Sequence, residues 1–116
     1  MTVATPATRR RPGRMAKDPH DLMRRHAGEA IAALKAIASH NRLLLLCELG
    51  QGERSVGELA QALKLAQSVV SQHLSLLRRD GVVSGRRQAQ SIYYRISDPR
   101  VAALIDTLYQ LYCTAQ

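Results

Sequence analysis

The chain has no tryptophan and no phenylalanine, and four tyrosines are its only aromatic residues apart from histidine. Its interior must therefore be built from Leu, Ile, Val and Ala, a composition that suits closely packed helices. No run approaches the roughly 18 to 20 apolar residues of a membrane span. Arg9, Arg10 and Arg11 are followed by no apolar stretch of the kind a secretory signal needs. The expectation is a cytoplasmic protein whose two cysteines are reduced at rest, with no structural disulfide. Cys47 and Cys113 lie far apart in the chain, which excludes a local C-x-x-C redox motif or a zinc knuckle. No internal repeat is present, and 116 residues are too few for two independent cores.

Acidic residues are also scarce. Nine Asp and Glu stand against 17 Lys and Arg, a formal net charge of +8. The balance favours a polyanion as partner, either nucleic acid or anionic lipid. The excess is unevenly placed. Residues 1–17 hold five basic side chains and no acid, without any hydrophobic period, and are expected to form a disordered basic tail. Such a tail either adds non-specific affinity for DNA or is simply solvated. From Lys64 to Arg95, six basic side chains meet Asp80 alone.

Within that second basic segment lies AQSVVSQHLSLLRRDG, Ala66 to Gly81. Val70, Leu74 and Leu77 fall at i, i+4 and i+7, one apolar stripe of a helix. Gln67, Ser68, Ser71, Gln72 and Ser75 occupy the other side, all short, polar and uncharged. A solvated helix usually carries Lys and Glu there. A helix laid in the major groove, by contrast, needs Gln to pair with adenine and Ser to serve several base edges. Taken alone, the same residues also fit a surface helix that happens to lack charge. Arg78 and Arg79 place cations at the helix's negative end, and Gly81 tolerates the positive φ that stops it.

The neighbours of this helix sharpen the reading. Ser55 and Glu58 form an S-x-x-E capping box that starts a preceding helix, with Leu59 and Leu63 on its apolar edge. Lys64, Leu65 and Ala66 make a short turn between the two, the arrangement of a helix-turn-helix. Downstream, Val82–Arg87 and Ser91–Ile96 read as two strands, with Ile92, Tyr94 and Ile96 alternating against Tyr93 and Arg95. The connection Gln88-Ala89-Gln90 has no Asn-Gly or Gly-Gly and predicts a loose loop. Arg86, Arg87, Gln88 and Gln90 sit near its tip, placed to meet phosphates or a minor groove as a wing does.

Asp18-Pro19 and Asp98-Pro99 each read as an N-cap followed by proline at the first helical position. The first opens a helix with Ala27, Ile31, Leu34 and Ala38 on one stripe, reaching about Ser39. Asn41 is expected to cap a second helix, Arg42 to Leu49, which is apolar on every side and so central. The last helix carries Val101, Leu104, Ile105, Leu108, Leu111 and Tyr112 at pairing spacing. The expected architecture is all-α with a small β-hairpin wing, a winged helix-turn-helix in the order α-α-α-α-β-β-α over residues 18–116. The terminal helix has no partner left in so small a chain, so a homodimer through the first and last helices is expected.

This order of elements resembles the ArsR/SmtB family of dimeric bacterial repressors. The resemblance runs from about Leu34 to Cys113 and rests on SVGELAQAL, then SVVSQHLSLLRRDGVV, then the wing ending IYYRI. It implies a transcriptional repressor, not an enzyme, that binds double-stranded operator DNA as an inverted repeat. It also places Gln67, Ser68, Ser71 and Gln72 where the family reads DNA, and His73 where the family packs a residue beneath the helix. Departures are informative. Metal sensors of the family often carry Cys-x-Cys where this chain has Ser55-Val56-Gly57-Glu58-Leu59. Others bind zinc between the two final helices, but here Asp98 is accompanied only by Arg100, Leu111 and Thr114, a set no divalent ion would choose. No metal and no cofactor are therefore expected. Ala66 also stands where the family usually has a serine cap, at a cost of about 1 kcal/mol.

By chemistry alone, Cys47 and Cys113 fit small buried hydrophobes. Their positions, one in the second helix and one in the last, also resemble the sulfide- and persulfide-responsive BigR- and SqrR-like branch. That resemblance implies that reactive sulfur species link the two thiols through a di- or polysulfide and release the DNA. No Lys, Arg or His adjoins either cysteine in sequence, so any activation has to come from the fold. Other readings stay open: a thiophilic metal, a metalloid or a general oxidant as signal, or an unregulated DNA-binding protein. A thiol oxidoreductase would leave the uncharged polar helix unexplained.

Overall fold

A computed structural model describes residues 18–113; the expected basic tail, residues 1–17, lies outside them. The chain divides into two compact units, Met1–Ile31 and Ala32–Gln116. In the first, the described residues form the opening turns of helix α1, Pro19–Ile37. Asp18 starts it as its sequence predicts, its carboxylate accepting from the Asp21 N–H at 3.0 Å. Arg24 and Asp21 pair across one turn at 2.8 Å, and Leu22, Met23 and Ile31 are exposed.

The second unit begins within α1 and continues through α2 (His40–Leu49), β1 (Arg54–Ser55), α3 (Val56–Leu63), α4 (Gln67–Arg79), β2 (Val83–Gln88), β3 (Ser91–Ile96) and α5 (Pro99–Tyr112). The helix order matches the sequence reading, with two differences. Helix α1 stops at Ile37, and Ser39 rather than Asn41 caps α2. The Ser39 hydroxyl accepts the Arg42 N–H, while the Arg42 guanidinium turns back to the Ala36 and Lys35 carbonyls at 2.9 and 3.2 Å. One arginine thus closes the preceding helix from within the first turn of the next. The second difference is β1, a two-residue strand absent from the expected order of elements.

The core gathers Ile37, Leu45, Leu46, Leu49, Leu59, Ala60, Val70, Leu74, Leu77, Val82, Val83, Tyr94, Val101 and Ile105. Leu45 and Leu46 are fully buried, as expected of a central helix, but Leu44 faces outward. All three stripe residues of α4 are buried. That helix ends as predicted: Gly81 takes φ +79°, its N–H reaches the Arg78 carbonyl and the Val82 N–H reaches that of Leu77. This pair of bonds is a Schellman motif, which requires the left-handed residue that glycine supplies.

The sheet order is β1-β3-β2, all antiparallel. In the hairpin, Val83 faces Ile96 and Gln88 faces Ser91, so Ala89 and Gln90 alone connect the strands. The loose loop expected there is instead a tight two-residue turn, made possible by Ala89 at φ +56°. An L-residue in that region is strained by roughly 1 to 2 kcal/mol. Ala89→Gly is accordingly expected to raise the thermal midpoint by a few degrees, about 1 kcal/mol, read by circular dichroism melting. At the other end of the wing, a Cβ on Gly85 would lie 2.9 Å from Ile92 Cγ2 and 3.1 Å from Tyr94 Cε1. Only glycine lets β2 pass that closely over the buried tyrosine.

Candidate nucleic-acid interface and thiol pair

Helix α3 opens with the full capping box: the Ser55 hydroxyl accepts from the Glu58 N–H at 3.1 Å, and the Glu58 carboxylate accepts from the Ser55 N–H at 2.9 Å. Lys64, in the left-handed region at φ 58°, turns the chain from α3 into α4. The start of α4 is bare, since Ala66 offers no side chain to the first N–H groups. The Val69 N–H is met by the Ala66 carbonyl at 3.1 Å, which leaves the donors ahead of it, those of Gln67 and Ser68, open to an anion. Gln67, Ser68, Ser71, Gln72 and Ser75 are all exposed on α4, and Val70, Leu74 and Leu77 hold its opposite side in the core. Their amides and hydroxyls can donate and accept at short reach, without the desolvation cost of a charged group. His73 lies partly under the helix, its Nδ1 buried without a hydrogen-bond partner, which agrees with a packing position.

Helix α4 packs against β2, and Arg86, Arg87, Gln88, Ala89 and Gln90 are exposed at the distal part of the wing. Arg86 is committed within the protein. Its Nε donates to both Glu53 oxygens at 2.9 and 3.0 Å, and its Nη2 lies 2.8 Å from Oε1 of the same carboxylate. Its Nη1 donates to the Gln88 side-chain oxygen, and the guanidinium sits 5.3 Å from the centre of the Tyr93 ring. These bonds hold the Glu53 carboxyl below the usual carboxylate range, with Arg86 as the main cause. Sequence reasoning placed Arg86 at the wing but missed Glu53, because their pairing spans 33 positions with no local signal.

Cys47 is half-buried on α2 and Cys113 is exposed at the C-cap of α5; both are free thiols. The two helices pack together. Burial pushes the Cys47 thiol up, and the negative charge that Cys113 and Glu48 can bear pushes it further. The helices that carry the two cysteines are thus neighbours in the fold, which spacing in the sequence could not establish. Glu48 in turn lies 3.8 Å from Arg54 on β1.

Among the described residues, no single helix is long and apolar enough to cross a membrane. Residues 39–84 match the family described as bacterial regulatory protein, arsR family. The chain is 47% identical over 93 residues to the transcriptional activator HlyU of Vibrio cholerae, covering 80% of this chain and 86% of that one. The structure of reduced HlyU superposes with a TM-score of 0.77 over 81% of this chain and 99% of its own. The transcriptional repressor BigR of Xylella fastidiosa gives 0.76 at 38% identity, over 83% and 98%. A homodimeric winged helix-turn-helix DNA-binding domain of Mycobacterium bovis, Mb0332, gives 0.63 at 30% identity, over 84% and 87%. Five helices, a three-stranded winged sheet and this likeness in sequence along most of the chain lead to one conclusion: the protein is a transcriptional regulator belonging to the ArsR family.

Proposed function

We propose that the protein is a homodimeric repressor that reads an inverted-repeat operator and releases it when reactive sulfur species bridge Cys47 and Cys113. The observation that carries the sulfur reading is the packing of α2 on α5, which puts one half-buried and one exposed thiol on neighbouring helices. The likeness to the transcriptional repressor BigR supports the repressor reading. Helix α4 would present Gln67, Ser68, Ser71, Gln72 and Ser75 to base edges in the major groove, and the wing would bring Arg87 and Gln90 to the backbone, beside Arg86 and Gln88. The dimer rests on the homodimeric Mb0332 domain and on apolar side chains that a second copy would cover. These are Leu22, Met23, Ile31 and Leu34 along α1, and Leu111 and Tyr112 at the end of α5, the last two 70% and 80% exposed.

The thiol chemistry follows from exposure. Cys113 meets a persulfide RSSH first: its thiolate takes the outer sulfur, forming Cys113–S–SH and expelling RS⁻. Cys47 then attacks the Cys113 sulfur, closing a disulfide and releasing hydrosulfide; where Cys113 carries a longer sulfur chain, attack on the sulfur next to its end expels hydrosulfide and closes a longer bridge. The bridge ties α5 to α2, whose last turn leads into β1 and α3. Two reading helices must fall one DNA turn apart, about 34 Å, so a small shift at the dimer interface costs affinity. A thiophilic metal is less well served. The described residues offer it two sulfurs and no cluster of three or more His, Cys, Asp or Glu.

Intact-protein mass spectrometry beside a DNA titration, before and after an organic persulfide, tests the proposal. Bridged cysteines with DNA release are expected; unmodified cysteines with unchanged binding would sink the sulfur reading. The division of labour has its own test. Gln72→Ala is expected to narrow the gap between operator and unrelated DNA by about 1 to 3 kcal/mol. Arg87→Ala is expected to weaken both alike and to reduce the salt slope by about one.

A further inference from the structure

Glu53 is a carboxylate in contact with the wing of a protein whose proposed ligand is a polyanion. Beside phosphates an unpaired carboxylate only repels. Its surroundings, however, make it the root of a bracket. Three consecutive side chains each hold a different element. Glu53 grips Arg86 of β2 through both oxygens, Arg54 lies 3.8 Å from Glu48 of α2, and Ser55 caps α3. The backbone of Arg54 and Ser55 pairs with Tyr94 and Tyr93 of β3, and Tyr93 carries the Arg86 guanidinium on its ring. The wing is thus fixed to the helix-turn-helix by a sheet edge and by one arginine whose three nitrogens all have acceptors inside the protein.

We infer that Glu53 is a positioning residue for DNA binding: by holding Arg86 over Tyr93 it sets the wing at the angle where Arg87 and Gln90 meet the duplex. Arg86 is then a strut rather than a phosphate contact. The inference rests on the reading that the wing docks on DNA. It predicts a sign opposite to simple electrostatics. Removing a negative charge near a polyanion should strengthen binding, whereas here it loosens the wing and weakens it.

The test is an operator titration over a range of salt with the full-length dimer, using Glu53→Gln, Arg86→Gln, the double variant and Arg86→Lys. Arg87→Ala reports separately whether the wing touches DNA. Both single substitutions to Gln are expected to weaken binding by about fivefold without changing the salt slope. The double variant should bind no worse than either single, as partners in one interaction do. Arg86→Lys should behave like Arg86→Gln, since lysine keeps the charge but not the fork that grips both carboxylate oxygens. Unchanged or tighter binding by Glu53→Gln, a slope steepened by a released Arg86, or full binding by Arg86→Lys with a slope flattened in Arg86→Gln would each overturn the inference. Should Arg87→Ala leave both affinity and slope unchanged, the wing-docking reading itself fails, and the inference with it. Melting curves identify any variant that has lost its fold, and Arg86→Lys, the mildest change, then decides alone: weakened binding supports the inference and full binding overturns it.

Discussion

Cys113→Ser is expected to bind operator DNA as tightly as the unmodified chain and to hold it through any dose of persulfide. Serine differs from cysteine by one atom, and at an exposed C-cap it disturbs nothing that supports the fold. The helix is closed there by the backbone N–H of residue 113 on the Tyr109 carbonyl at 2.8 Å, which the substitution keeps. What is lost is the first nucleophile. Cys47→Ser should abolish the response equally but also cost about 1 kcal/mol of stability, because Cys47 packs against the core and a hydroxyl there has to be desolvated. Titration of each variant with and without persulfide reads both effects. DNA release by Cys113→Ser would show that no bridge is needed. The raised Cys47 thiol adds a pH signature. Only thiolate attacks, so the closing step should accelerate as pH rises toward the elevated Cys47 value. At lower pH, protein carrying sulfur on Cys113 alone should accumulate in the mass spectrum.

Leu74→Ala should produce a large loss of stability on α4. Leu74 is fully buried between Val70 and Leu77 on the stripe that holds α4 to the core. Truncating such a leucine removes its transfer free energy and leaves a cavity, together roughly 2 to 5 kcal/mol, a large share of the total for a domain of this size. The thermal midpoint should fall by on the order of 10 °C or more. Gln72, two positions earlier on the same helix, is exposed, and its alanine variant should melt within a few tenths of a kcal/mol of the parent. Comparing the two melts separates what anchors the helix from what it presents. Equal losses would mean that the polar face of α4 also packs within the protein.

Most of the architecture could be read in the sequence because its signals are local. A capping box needs only Ser55 and Glu58, a Schellman end only Gly81, and an apolar stripe only Val70, Leu74 and Leu77. Each acts within one or two turns of helix. The errors fell where a tertiary contact overrode a local preference. Ser39 displaced Asn41 as the α2 cap while Arg42 turned back to α1. The wing closed tightly on Ala89 because the paired strands impose a positive φ that alanine does not favour. A strand of two residues has no period at all, so β1 exists only by virtue of Tyr93 and Tyr94 across from it.

By itself, then, the sequence determined the helix order, the polar face of α4, the basic wing and the family, since each is encoded by residues close together in the chain. It also supplied the two cysteines. Tertiary structure alone decided that α2 packs on α5, the two helices that carry Cys47 and Cys113, and that Arg86 is spent on Glu53 and Tyr93. Such pairings join distant parts of the chain through packing, and no spacing along the sequence encodes them.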